Sequence, residues 1–488
     1  MQSKIAHAAE RTAFGLALDG IINAASGKDR EKNLDKLVDM GSKLLKDTAP
    51  GAARGLRAGL YPGSKWEQFL FSLMDEVDHN IIKTTVLNGG YEAAFRGLRT
   101  CTENAEKYQC NVPWIILFDP TTACNKHCIG CWSAEYGNRY NLSFDDMDRL
   151  VSEAKALGTH MFMLTGGEPL VRKHDIIKLA DKHNDCMFNI FTNASLVDQA
   201  FCDDVKRVGN IAFSISVEGF EESNDGRRGD GSFQEVMAAM DLMKANGLLF
   251  GTSTAYTTKN YKTVTSDEYL DMLIEKGCRY AWYFHLMPVG AGAGTDLMCT
   301  PEEREYMFHR IREIRGITGG KPIFAMDFQN DGEYVGGCIA GGRVFCHVNA
   351  AGDVEPCVFI HYSNANIHDK SWLECLQQPI FQAYRSHYPF NDNMLQPCPM
   401  LENPEILPQI VHEADAPCTD YAAPESVDDL CARTTPYAES WKATAEKLWL
   451  EEHPTGKKIY ADELSNMPVD EKAKIIAKSD EENQAVVG

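Results

Sequence analysis

Between residues 111 and 300 the chain repeats one pattern six times: a short apolar run, then a stretch whose apolar residues recur at helical spacing. Alternation of this kind commits a chain to parallel strands, because parallel neighbours need a long crossover, usually a helix, where antiparallel ones need only a tight turn. The apolar runs predict strands at 114–118, 161–165, 188–192, 211–217, 251–256 and 281–286. The first crossover helix has a cap in Ser143, with Asp145 and Asp146 at the positive end of its dipole. Six strand–helix units are too few to close an eightfold barrel. The expected fold class is therefore α/β, a partial (β/α)6 barrel with functional residues at the C-terminal ends of its strands.

The flanks read differently. Residues 1–110 are expected to be a helical region: Phe14, Leu18, Ile21 and Ile22 recur at helical spacing, as do Leu34, Leu37 and Val38, then Phe69, Leu70, Leu73, Met74 and Val77. Such faces either pack on the next unit or dock on a membrane or partner. After the barrel unit (111–300), residues 301–423 form a Gly- and Cys-rich unit and 424–488 a charged helical tail. A formal charge of -22 with no basic stripe excludes nucleic acid as a partner. No apolar stretch approaches the roughly 18–20 residues of a membrane span, and the N-terminus lacks a secretory pattern, so a cytoplasmic location is expected. The 16 cysteines are then thiols or metal ligands, and their spacing matters more than their number.

Directly after the first predicted strand stands TTACNKHCIGCW, which puts Cys124, Cys128 and Cys131 in one loop at C-x3-C-x2-C spacing. Three thiolates can converge on one metal centre. A four-iron cluster held by three of them keeps one iron open to a substrate or cofactor. A zinc site completed by His127 or a distant ligand is the alternative, although no second short-spaced pair accompanies the loop.

With Trp132 following it, the triplet resembles the signature of the radical S-adenosylmethionine (SAM) superfamily. The resemblance extends to Gly166-Gly167-Glu168-Pro169 after the second strand, where the family supports the amino group of the cofactor's methionine. It extends also to the fourth strand and following loop, Phe213 to Gly219 with Arg227 and Arg228. There Ser214 and Ser216 share one face, either turned into the barrel or satisfied within the sheet. Asn193, and Met287 to Gly290, stand where the family contacts ribose and adenine. The resemblance implies a [4Fe–4S] cluster on Cys124, Cys128 and Cys131. It implies S-adenosyl-L-methionine at Gly166, Gly167, Glu168, Pro169, Asn193, Ser214, Ser216 and Arg228, and an electron donor such as flavodoxin or ferredoxin.

A second set, Cys338, Cys346, Cys357 and Cys398, resembles the opening of the SPASM and twitch auxiliary-cluster domains. Gly352-Asp353 reads as a hairpin turn folding Cys346 toward Cys357. Since the later dense cysteine group of SPASM domains is absent, one auxiliary [4Fe–4S] cluster is expected, with Cys418 as the alternative to Cys346. A zinc site or buried thiols stay open as other readings. The implied activity is an oxidoreductase-like one: reductive cleavage of S-adenosylmethionine to a 5′-deoxyadenosyl radical that takes hydrogen from a substrate C–H bond. The expected target is a peptide or protein side chain, modified oxidatively or by bond formation. A lipid or other small molecule is the alternative, and a non-catalytic iron–sulfur electron carrier or zinc protein the remote one. His285, Asp327, Gln329 and His361 are further candidates for lining the cavity.

Overall fold

The structure, a computed structural model, describes residues 4–45, 50–133, 139–290, 294–317 and 319–453. Its centre is one nine-stranded sheet: β1 (Ile115–Phe118), β2 (Met161–Leu164), β3 (Met187–Thr192), β4 (Ile211–Ser216), β5 (Phe250–Tyr256), β6 (Tyr280–His285), β7 (Phe324–Asp327), β8 (Phe345–Val348) and β9 (Val354–Glu355). The order is β7-β6-β5-β4-β3-β2-β1-β8-β9, parallel throughout except for the β8–β9 hairpin. The six predicted strands are present to within a residue or two. The sheet then goes further than the repeat: β7 extends one end, and β8, from the cysteine-rich unit, pairs with β1 at the other.

Strand register fixes what faces the barrel interior. Ile115 and Leu117 of β1 line the central cavity, as do Met163 of β2, Phe191 of β3, Ser216 of β4 and Phe284 of β6. The alternate residues, such as Ile116, Phe162, Ile190 and Ile215, are wholly buried beneath the surrounding helices. Both faces of most strands are largely apolar, as expected when a parallel sheet is covered on both sides, the main exceptions being the hydroxyls of β4 and β5, Ser214, Ser216, Thr252, Ser253 and Thr254.

The crossover helix after β1 (Phe144–Leu157) begins with a capping box in which Ser143 and Asp146 satisfy each other's backbone N–H groups. Residues 4–108 are helical, apart from short turns, within the described part. Leu18, Ile22, Leu37, Met74, Ile81 and Ile82 belong to the same buried cluster as the barrel's Ile116 and Phe162. Polar ties reinforce the packing: Arg279 pairs with Glu76 at 2.7 Å, and the Trp114 indole donates to the Ala93 carbonyl at 2.9 Å. A long helix, Val427–Glu452, packs on the helix Pro301–Arg315; residues 454–488 of the expected tail lie outside the described residues. No described helix is long and apolar enough to cross a membrane.

Candidate active site

The loop after β1 is held at both ends before its cysteines begin. Thr122 N donates to Tyr140 O at 3.0 Å, and the Thr121 hydroxyl donates to the Asn141 side chain at 2.6 Å. From the β2 side, Gly167 N donates to Thr121 O (2.9 Å) and Glu168 N to Ala123 O (2.8 Å), immediately before Cys124. Nothing larger than glycine fits: a Cβ on residue 167 would lie 2.2 Å from Ala123 O, and Gly166 has φ +102°. The Glu168 carboxylate is tied down by three protein donors, accepting from Leu170 N, Thr192 Oγ1 and Asn193 N. Pro169 is buried as the first residue of a 3-10 turn and, unlike its three predecessors, does not line the cavity.

Cys124, Cys128 and Cys131 are all half-buried on the wall of that cavity. Burial pushes the Cys124 thiol up to about 11, opposed by the backbone at Lys126. It also raises Cys128, opposed by Arg228, whose Nη1 lies 3.8 Å from the Cys128 sulfur. Arg228 is fixed in turn by Glu218. Burial disfavours the charge of Glu218, but Arg228 and Arg227 outweigh it and hold the carboxylate below its usual range. Arg227 also grips the loop, donating to Ile129 O (3.0 Å) and Gly130 O (3.3 Å). Asn193 completes the frame through its 2.9 Å bond to Asn125. Glu218, Arg227 and Asn125 all lie inside motifs visible in the sequence; their roles become readable only when the loop is seen folded against the end of β4.

Of the predicted cofactor-site residues, Gly166, Gly167, Glu168, Asn193, Ser216 and Arg228 share this cavity with the triplet. Ser214 does not. Its hydroxyl is consumed lower in the barrel by Asn189 (2.9 Å) and Tyr280 (3.0 Å), so it fills the sheet.

The second thiol set is only partly the predicted one. Cys338, Cys357 and Cys398 line the same cavity, and the Cys398 sulfur accepts from Leu401 N at 3.4 Å. Burial raises the Cys338 and Cys357 thiols to about 11 and about 12, opposed by the backbone at Ala340 and Phe359. The hairpin turn at Gly352 is present, with φ +92°. It does not bring Cys346 in: Cys346 is level with Ile116 in the β1–β8 register, on the helix-facing side of the sheet, and its neighbour is Cys375. Cys418 bridges to Tyr362 and also lies off the cavity wall.

Among the described residues no three His, Cys, Asp or Glu side chains close tightly enough to grip a single metal ion. Thiols that share a cavity wall, take backbone N–H bonds and have a cation beside them suit a multi-iron cluster better than one zinc ion. His285, Asp327 and Gln329 reach the cavity, where burial, with the Arg304 charge, pushes His285 down to about 3 and so keeps it neutral. His361 stacks on Trp132 instead, with ring centroids 6.4 Å apart.

A parallel partial barrel carrying an open three-thiol loop beyond its first strand defines a class of iron–sulfur enzyme. Residues 118–275 match the family model described as the Radical SAM superfamily, and the chain carries a radical SAM domain, of a family whose enzymes use a [4Fe–4S] cluster and S-adenosylmethionine. It is 24% identical over 291 residues to an AdoMet-dependent heme synthase of Methanosarcina barkeri, covering 54% of this chain and 82% of the relative. A heme synthase of Nitratidesulfovibrio vulgaris is 25% identical over 53% of this chain and 77% of its own. Among solved structures, Streptococcus suis SuiB superposes with a TM-score of 0.50 at 17% identity, over 63% of this chain and 74% of SuiB, a likeness of fold.

Proposed function

We propose that this radical SAM enzyme activates a C–H bond on a predominantly apolar substrate, a lipid or comparable small molecule, in preference to a peptide side chain. One observation carries this reading: a single cavity of about 1250 Å³ reaches both thiol sets, and the wall between them is almost wholly apolar, with Leu117, Met163, Phe191, Trp282, Phe284 and Phe345 prominent. A peptide backbone buried there would bring more N–H and C=O groups than this wall, whose main polar members away from the cofactor residues are His285, Asp327 and Gln329, can satisfy. A relative named for making haem is compatible with a bulky small-molecule substrate.

When bound, the cluster on Cys124, Cys128 and Cys131 together with S-adenosylmethionine supplies a 5′-deoxyadenosyl radical able to take hydrogen from an unactivated carbon. This chain's own residues orient and shield. Gly166 and Gly167 let the β2 turn pack directly on the cysteine loop at the cavity wall where the cofactor's methionine end would lie, Glu168 locks that turn to β3, and Arg228 sets a buried positive charge beside Cys128. Asn193 and Ser216 offer polar groups to the nucleoside end. Cys338, Cys357 and Cys398, on the same cavity wall, would hold an auxiliary cluster able to accept an electron, and the reductant that the first cluster would need is of the flavodoxin or ferredoxin kind. The aromatic wall keeps water out.

The test is deuterium transfer. The anaerobically reconstituted enzyme, given S-adenosylmethionine and a reductant, is offered a perdeuterated lipid extract or a perdeuterated peptide digest. Deuterium should enter 5′-deoxyadenosine from the lipid fraction; transfer from the peptide fraction alone would reject the reading.

A further inference from the structure

The cavity does not stop at the strand ends where the cysteines lie. Over β3 to β6 the opposite end of the barrel is plugged: Tyr280 OH donates to Phe213 O at 2.7 Å, and Asn189 and Ser214 bond to it and to each other. No room is left beside the plug, since a Cβ on Gly251 would strike the Tyr280 ring at 2.5 Å. Where the sheet fails to close, between β7 and β8, the cavity instead continues down to Trp114 and Phe345 at the strand starts. There it is edged by Ile317, Phe324, Tyr334 and Val335, which are 45%, 46%, 63% and 46% exposed.

Four exposed apolar side chains around one opening are a larger apolar surface than scattered residues present, and they continue an apolar interior. Of the charges flanking them, Arg315 pairs with Asp331 at 2.6 Å and Arg312 with Glu333 at 2.8 Å, while Arg343 and Lys65 are held on backbone carbonyls, Val335 O and Ile314 O, both at 2.6 Å. Trp66 of the N-terminal helical region seals one side, its ring 6.4 Å from Phe324 and its indole N–H on Gly316 O.

We infer that the seam between β7 and β8 is a binding subsite for an uncharged alkyl chain, which enters between Phe324 and Val335 and runs up the barrel toward Cys124. The inference rests on the apolar-substrate reading and adds to it a direction of entry and a chemical class, the long hydrocarbon chain. The portal lies at the opposite end of the strands from the cysteine loop. A chain can therefore occupy it while S-adenosylmethionine is bound, and the lips, not the cofactor end, select for chain character.

The test uses an uncharged hexadecyl probe with a terminal diazirine, photolysed on the reconstituted holoenzyme and mapped by mass spectrometry. In the wild type, label is expected both at the mouth, on the peptide containing Phe324, and within, on the peptide containing Trp282 and Phe284. Phe324→Asp and Val335→Asp replace surface side chains, so folding and iron content should hold. Each should cut the interior label about fivefold or more, because a carboxylate at the lip must be desolvated for the chain to pass. Undiminished interior label in both variants, or wild-type label confined to the mouth, would overturn the portal. Absence of any label in the wild type would instead reject the apolar-substrate reading beneath it.

Discussion

Replacing Gly167 with alanine isolates the contact between the β2 turn and the cysteine loop. The new Cβ would lie 2.2 Å from the Ala123 carbonyl oxygen and 2.5 Å from that of Thr122, against the 3.0 Å that real Cβ contacts respect, so the backbone must retreat by about 0.8 Å. That retreat stretches the Glu168 N to Ala123 O bond and strains the Gly167 N to Thr121 O bond. At about 1 kcal/mol net for each buried hydrogen bond, the loop loses about 2 kcal/mol of anchoring. The larger effect is positional. Ala123 adjoins Cys124, and a displacement of about 1 Å at a reacting centre costs on the order of 100-fold in rate. Reconstituted Gly167→Ala should therefore form 5′-deoxyadenosine about 100-fold more slowly and lose iron from its first site on gel filtration, while far-ultraviolet circular dichroism stays native. Gly226→Ala, on the helix Glu221–Arg228 with nothing within 4 Å of its Cβ, is the control and should behave as wild type. Wild-type cleavage rates in Gly167→Ala would refute the claim that the turn sets the loop.

Two further outcomes follow from the thiols and from a buried acid. The reconstituted protein should hold about eight irons, and Cys338→Ser with Cys357→Ser about four, whereas Cys346→Ala should keep about eight because its thiol faces the helices; iron and sulfide analysis decides, and iron loss in Cys346→Ala would refute the facing argument. Asp327 is raised to about 6 by burial, with the Asp331 charge adding to it, so it favours the neutral form. Its contribution is complete below pH about 4 and is lost as pH rises through about 6, about 3 kcal/mol in all and about 1 to 1.5 kcal/mol of it between pH 5 and 8. Denaturant unfolding should therefore weaken less over that range in Asp327→Asn than in wild type, and parallel pH profiles would count against it.

The strands from β1 to β6 were legible because each apolar run is followed by a helix long enough to cross over, and the cysteine loop because its spacing is local. What eluded the sequence depends on distant partners. β7 follows the helix Pro301–Arg315 as the repeat would have it, but only the four-residue helix Gly332–Val335 succeeds it, and β8 lies among the cysteines with no crossover helix beside it. Cys346 could not be told from a cavity-facing residue, since Phe345, Cys346 and His347 are all buried and a strand covered on both faces gives no alternation to read. Ser214 shared its face with Ser216 as expected; the two part because Tyr280, 66 positions on, reaches one and not the other. Likewise the Glu168 carboxylate is legible as a turn residue, but not as the clamp that holds Thr192 and Asn193.

The pairing of β8 with β1 bears on how this chain can be divided for the laboratory. Ile115 N and Asp119 N donate across that pair to Val344 O and Val348 O, at 2.9 and 3.0 Å. A fragment ending near residue 300 would keep every residue of the cysteine loop yet strip one whole edge of β1, leaving those donors and the apolar rows beside them bare. Unpaired edges of this kind recruit strands from other molecules, so such a fragment should self-associate. A better minimal protein retains residues 345–348 as a tethered strand, or places a charged residue on the freed edge of β1, so that the loop is studied on a monomer and not on an aggregate.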